Sequence, residues 1–401
     1  MVNLKTKSIS EHDAEYWAKE FWTCIFPDWL ETIQDGDHGV FDALDVNGHA
    51  DTQAGKSVLA QARTLFTVSH IALLSGDPAH VIAARKQADF LKLFCKSPGL
   101  YRCMATREGN PTGRPEDEAA RSYDQTFVIL GLVTWNAVSP SEKTLNLIEE
   151  CWAAITTTLT DTKTGLLLND DLGTNLIPAQ NPHMHLYEAC LQANRMTSGA
   201  VWLDRAKDFR ANGVRHFMDQ KSGSITEFIT PELQPLAGAE GMRREVGHQC
   251  EWAWLMLEEA DLAKNPTLKT TAARLMAFAN RSGFAENGLL EGAAFDAVST
   301  DNSVVENSFL LWPQTEAIKI FAVQYTMGDA QAGERARNLM CLMFDQWFEQ
   351  RPSYINRLDL EGQTLWAEAL TRLMYHVVLA MTEGGKAGLW PSIPNISATQ
   401  D

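Results

Sequence analysis

Residues 127–133 read Phe-Val-Ile-Leu-Gly-Leu-Val and residues 252–257 read Trp-Ala-Trp-Leu-Met-Leu, each inside a segment with helical spacing. Stretches this apolar all round make helices that are buried on every side. Segments of another kind lie between them. Residues 78–97 carry Val81, Ala84, Ala88, Leu91 and Cys95 on one stripe and Arg85, Lys86, Asp89 and Lys92 off it, an amphipathic helix with one buried face. Ile318 to Val323 returns to the fully apolar kind. Buried and amphipathic helices in alternation imply an inner ring wrapped by an outer ring. Twelve helices are expected, near 11–34, 56–75, 78–97, 116–136, 141–159, 182–198, 200–219, 244–264, 266–282, 305–327, 329–350 and 361–382. In that order they make an all-α fold, an (α/α)6 barrel of six inner and six outer helices. A linear solenoid of hairpins is the alternative, and it does not need inner helices apolar on all faces.

No Pro/Gly/Ser-rich linker divides the chain, so a single catalytic domain over 1–401 is expected; the breaks at 99–113, 170–178 and 289–301 read as loops with brief hairpins. A formal net charge of −17 argues against nucleic-acid or anionic-membrane partners, which attract basic surfaces. The seven cysteines are scattered and never spaced C-x-x-C, which suits a reducing, cytoplasmic setting. The first residues, MVNLKTKSISEHDAEYW, lack the apolar core of a signal peptide.

In such a barrel the inner helices all start at one end, and their first-turn N–H groups face an open bowl. Several starts are marked. Asn181-Pro182 reads as a cap followed by a first-turn proline, placing His185 and Glu188 in the first two turns. Trp312-Pro313 repeats the signal and sets Gln314 and Glu316 at the corresponding place. His248 opens the helix that holds Glu251, three residues on and on the same face. Arg63, Tyr123, His185, His248, Trp312 and His376 follow one another at intervals of 60, 62, 63, 64 and 64 residues, one chemically capable side chain per pair of helices. His183-x-His185 does not make a metal site on a helix, because positions two apart diverge by about 200°; no metal is expected, and His183 reads as a packed histidine. The run from Ala50 to Ser57 matches a phosphate loop only loosely and follows polar, turn-like residues instead of a buried strand.

The stretches KSVLAQARTLF (56–66), RSYDQTF (121–127), NPHMHLYEA (181–189), GHQCEWAWL (247–255), WPQTEA (312–317) and MYH (374–376) resemble, in order, those of the N-acylglucosamine 2-epimerase superfamily, which includes D-mannose isomerases and cellobiose 2-epimerases. The resemblance implies an (α/α)6 barrel with a sugar pocket at the inner-helix ends and no cofactor. It also implies a catalytic pair matching His248 and His376, supported by Arg63, Tyr123, Asn181, His185 and Glu251.

Interconverting an aldose with its ketose or its C2 epimer requires ring opening and removal of the proton α to the carbonyl. A base that ionises near neutrality suits this, and histidine, at around 6.5, is that side chain. His376 is expected to act at C2 and His248 to open the ring, with Glu251 paired to His248 and Arg63 facing the enediolate. Tyr123, Asn181, His185, Trp312, Gln314 and Glu316 are expected to bind substrate. The leading expectation is a D-mannose/D-fructose isomerase, acting also on D-lyxose and D-xylulose, as a monomer or homodimer. A 2-epimerase of acylhexosamine or cellobiose-type sugars is the runner-up. Thr371 stands five residues before His376, where cellobiose epimerases resemble one another in carrying tryptophan, and His376-Val-Val-Leu departs from the His-Val-Pro-Arg of mammalian-type epimerases. An inverting glycoside hydrolase is a third class; it needs two carboxylates roughly 6.5–9.5 Å apart, for which Glu251, Glu306 and Glu316 are candidates.

Overall fold

The amphipathic segments announce their own starts. Asp13, Asp77, Ser141 and Asp329 each accept a hydrogen bond from a first-turn N–H and so open outer helices at Ala14, Pro78, Glu142 and Ala330. The apolar segments start otherwise: at 122, 181, 246, 311 and 374 the preceding residue gives no side-chain cap, and only Val58–Ser75 has one, from Ser57. The structure, a computed structural model, describes residues 12–348 and 353–395. The first position of the expected 11–34 helix, the last two of the expected 329–350 helix and both chain ends lie outside the described residues.

Six helices form the inner ring: Val58–Ser75, Ser122–Val138, Asn181–Thr197, Val246–Leu262, Leu311–Thr326 and Met374–Lys386. Each packs on the next, and the last returns to the first, so the ring closes and the solenoid is ruled out. Gly131 allows the close approach of one neighbouring pair, since a Cβ there would lie 2.8 Å from the Ala62 carbonyl oxygen. The outer ring is the segment 14–33 with Pro78–Leu91, Glu142–Thr158, Ala200–Phe217, Thr267–Ser282 and Ala330–Trp347. The fold is the expected (α/α)6 barrel, with one continuous apolar core. Val58–Ser75 has the length and hydropathy of a membrane span, but here it is mostly buried as an inner stave.

Several starts differ from the sequence expectation for one reason. The chain enters inner helices through short strands, which the apolar pattern runs into without a break. Residues 304–306 and 309–310 are strands, so the helix expected from 305 begins at Leu311; strands at 364–366 and 369–370 delay the last helix to Met374. Residues 95–97 are likewise a strand, and 115–118 a single 3-10 turn. The first helix is interrupted by a π turn, Phe21–Ile25, just ahead of Pro27, which lacks an N–H for the regular ladder.

What fastens these strands to the inner helices is a repeated side-chain device. The fourth residue of four inner helices is a fully buried glutamine, and each uses both ends of its amide on one backbone residue of the preceding hairpin. Gln61 holds Val40 at 3.0 and 2.9 Å, Gln125 holds Tyr101 at 2.9 and 3.0 Å, Gln249 holds Ile225 at 2.8 and 3.0 Å, and Gln314 holds Ala294 at 2.7 and 2.8 Å. Two residues beyond the held position, Asp42, Glu227 and Asp296 accept the N–H of the residue just before the helix, Ser57, Glu245 and Leu310. His183 does a similar service at the third position of its helix, accepting from Leu167 N–H (3.0 Å) and donating to the Ala179 carbonyl (3.1 Å). Burial depresses His183 to about 4, so it stays neutral.

Gln249→Ala strands the Ile225 N–H and C=O in the core. Urea unfolding is expected to show a loss of about 2–6 kcal/mol, from two buried groups at roughly 1–3 kcal/mol each; a loss below about 1 kcal/mol would mean that the hairpin is held by something else.

Candidate active site

The strands and clamps gather the six inner-helix starts around a cavity of about 580 Å³. Arg63, Tyr123, His185, His248, Trp312 and His376, one from each inner helix, all line it, as do Asn181 and Glu251. Two expected residues do not. Gln314 is one of the clamps, both ends of its amide taken by Ala294, because the fourth helical position faces the hairpin and not the bowl. Glu316 lies behind His376, fully buried.

His376 is set by a contact at each ring nitrogen. Its Nδ1 lies 2.8 Å from Glu316 Oε1 and its Nε2 3.2 Å from Arg63 Nη1. A guanidinium only donates, so Nε2 is the acceptor and the proton sits on Nδ1. Burial first, then the charges of Arg63 and Lys319, hold His376 well below its ordinary pKa, leaving a neutral ring whose Nε2 lone pair, at the cavity, accepts from Arg63. Arg63 is itself fixed: Nη2 donates to the Tyr123 hydroxyl (2.7 Å), and the guanidinium lies over the Phe127 ring at 4.1 Å.

His248 is the opposite case. Burial disfavours its charge, but Glu227 and Glu245, 2.7 and 3.2 Å from Nδ1, outweigh that and carry it up to about 9. Glu227 is held in turn, accepting from Gln180 Nε2 (3.1 Å) and Glu245 N–H (3.1 Å). The partner of His248 is therefore not Glu251, as the helical spacing suggested. One turn further along, Glu251 points past it toward His185, 3.8 Å away, and neither carboxyl oxygen has a hydrogen-bond partner. Burial and then the nearby Glu316 push Glu251 well above the carboxylate range, so it is a neutral acid facing the cavity. His185, depressed to about 4 by burial against the pull of Glu188, is neutral and bonds Glu188 at 3.0 Å; the Tyr375 hydroxyl donates to the other oxygen of that carboxylate.

Trp312 stands between the two histidines, its ring centre 4.8 Å from that of His248 and 6.0 Å from that of His376. Gly247 makes room for it, since a Cβ there would meet the indole at 2.4 Å. The rest of the wall includes Arg121, Asp170, Asn356 and Arg372. Among the described residues, three groups of histidine and carboxylate atoms come within 4.8 Å of one another: His185–Glu188–Glu251, Glu227–Glu245–His248 and Glu251–Glu316–His376. None has the character of a metal site, for each already holds a cation or proton: Tyr375 donates into the first, His248 is the cation of the second, and the Lys319 ammonium lies 2.6 Å from Glu316 in the third.

The family profile described as N-acylglucosamine 2-epimerase (GlcNAc 2-epimerase) matches residues 39–380. The chain belongs to the N-acylglucosamine 2-epimerase family. Its similarity to a mannose-6-phosphate isomerase of Rhizobium meliloti is 26% identity over 300 residues, 73% of this chain and 75% of that protein. A D-mannose isomerase structure superposes with a TM-score of 0.81 at 19% identity, over 94% of this chain and 100% of that one. A cellobiose 2-epimerase from Bacillus thermoamylovorans gives 0.80 at 17%, over 92% and 98%. The chain is thus a sugar epimerase or isomerase by family, and the barrel is the fold of these neighbours.

Sequence reasoning missed Glu227, Glu245, Lys319 and Arg372. Glu227 had a signal: Asp42 and Asp296 stand in the same relation to Gln61 and Gln314 as Glu227 does to Gln249, 19, 18 and 22 residues ahead. Lys319 was hidden inside an apolar run. Glu227→Gln removes the main anion beside His248, so the His248 pKa is expected to fall from about 9 toward 6.5, measured by histidine NMR titration; a value left near 9 would transfer the role to Glu245.

Proposed function

We propose that the protein is an aldose–ketose isomerase of free sugars, interconverting D-mannose and D-fructose and also D-lyxose and D-xylulose. One arrangement carries the reading: two histidines line one cavity with opposite charge preferences, His248 held toward its protonated form by Glu227 and Glu245, and His376 held neutral by burial and Arg63, whose Nη1 donates to Nε2 until a sugar takes its place. An acid and a base are thereby present together at neutral pH. His248 delivers its proton to the ring oxygen as the C1–O5 bond breaks, and the proton leaving O1 goes to solvent, from which His248 is recharged. His376 then takes the proton from C2, and the electron pair moves onto O1 to give the enediolate. The Arg63 guanidinium and the cationic His248 stabilise that charge. His248 gives a proton to O1 and takes one from O2, while His376 returns its proton to C1, which completes the ketose.

The same pair supports 2-epimerisation if the proton comes back to C2 from the opposite face, and family membership fits either outcome. The D-mannose isomerase neighbour and Thr371 in place of a stacking tryptophan favour the isomerase. A phosphorylated hexose is the second reading. It rests on Arg121 and Arg372 at the wall, neither of them in an ion pair among the described residues, and on the Rhizobium relative. The hydrolase reading keeps only Glu251 of its three candidate carboxylates where it needs two, since Glu316 is committed to His376 and Lys319, and Glu306 to Arg243 and Arg357.

Purified, metal-stripped enzyme with D-mannose in heavy water, followed by NMR, is expected to give fructose as first product and little glucose. Glucose first makes the protein an epimerase. No reaction with mannose but turnover of mannose 6-phosphate makes it a sugar-phosphate isomerase. His376→Ala is expected to abolish deuterium exchange at C2 by at least ~10²-fold; retained exchange removes His376 as the base.

A further inference from the structure

Behind the cavity wall Lys319 is fully buried, one turn along from Glu316 on the same helix, its ammonium 2.6 Å from Glu316 Oε2 and 3.9 Å from the Trp254 ring centre. Burying an ammonium is costly unless a specific partner repays the lost hydration. The other oxygen of Glu316 is the one that accepts from His376 Nδ1 at 2.8 Å. Lysine, glutamate and histidine thus form a line that starts in the core and ends at the substrate.

We propose that Lys319 is a positioning residue: it keeps Glu316 ionised and, through Glu316, fixes His376 with its proton on Nδ1 and its Nε2 as the acceptor that faces Arg63 and the cavity. The inference rests on His376 being the base of the reaction proposed above. Carboxylate-backed histidines gain orientation and a defined tautomer from such a partner. Here the carboxylate is itself anchored by a resident cation. Around His376 the charged and titratable groups are Arg63 from the first inner helix, His185 and Glu188 from the third, Glu251 from the fourth, and Glu316 with Lys319 from the fifth. Tyr375, on its own helix, turns to Glu188. Of these carboxyls Glu251 carries a proton and Glu188 is satisfied by His185 and Tyr375, so Lys319 is the cation that balances Glu316.

The sign of the test follows from that balance. In Lys319→Met the Glu316 carboxylate has no counter-cation, and a proton settles on the Glu316–His376 pair in its place. The base is then blocked at neutral pH and freed only at higher pH. Relative to wild type, kcat/KM at pH 7 is expected to drop by ~10²-fold or more, mainly in kcat, and to recover as pH rises. Glu316→Gln leaves Lys319 in place and removes the anion, so its kcat falls without alkaline recovery. Histidine 15N NMR of the resting wild-type enzyme, with the His376 signal assigned by its loss in His376→Asn, is expected to show the neutral Nδ1–H tautomer; Lys319→Met is expected to show the imidazolium at pH 7. A loss equal at every pH, or a neutral His376 in Lys319→Met, reduces Lys319 to packing and overturns the proposal. So does an Nε2–H tautomer in wild type, a measurement that stands even if the lysine variants do not fold. Because the NMR arm needs no substrate, it decides the role of Lys319 even if no sugar is turned over and the isomerase reading fails.

Discussion

A buried glutamine amide bonded at both ends to one backbone residue is the contact on which the site depends. Each such amide satisfies a donor and an acceptor that would otherwise be lost to the core, and it does so in a single geometry. It therefore fixes both the height of the hairpin against the inner helix and the point at which the helix begins. A carboxylate two residues along then takes the N–H just before that helix at three of the four positions. At one of them the carboxylate is Glu227, whose other oxygen bonds His248. The fastening that places the hairpin and the charge that favours a protonated His248 are the same side chain.

The two histidines differ although both are buried, and burial alone would make both neutral. Their neighbours decide between them. His248 has two carboxylates at Nδ1, while His376 has one that is already matched by Lys319, with Arg63 on its other nitrogen. The inner-helix starts add a common background. Five of the six lack a side-chain cap, so partly positive backbone ends converge on the bowl. That field opposes protonation of His376 and favours the negative enediolate, and His248 stays cationic only because Glu227 and Glu245 outweigh it.

The ring of six site positions was legible because a helical pair has a nearly constant length, so one residue per inner helix recurs at a nearly constant interval. The alternation of fully apolar and one-faced helices likewise made the barrel legible. Periodicity could not find where strands hand over to helices, since a strand of two or three residues is too short to show its own period. It also assigned Glu251 to His248 from spacing on one helix, whereas the real partner arrives from a loop 21 residues earlier. Gln314 was read as a sugar ligand because it shares a turn with Trp312, yet neighbours on a helix point to different sides of it. Lys319 was passed over because an apolar context suggests a core position, and it is one.

The bond between Arg63 and His376 joins residues 313 apart, the first inner helix to the last. It is the latch of the ring as well as part of the site. Long-range closures of this kind bear the chain's largest loop entropy and, in folding, come when most other contacts are in place. A chain lacking the last inner helix would hold five-sixths of the bowl and no His376. Catalytic competence therefore reports that the barrel has shut, and it waits on the last of the six inner helices to dock.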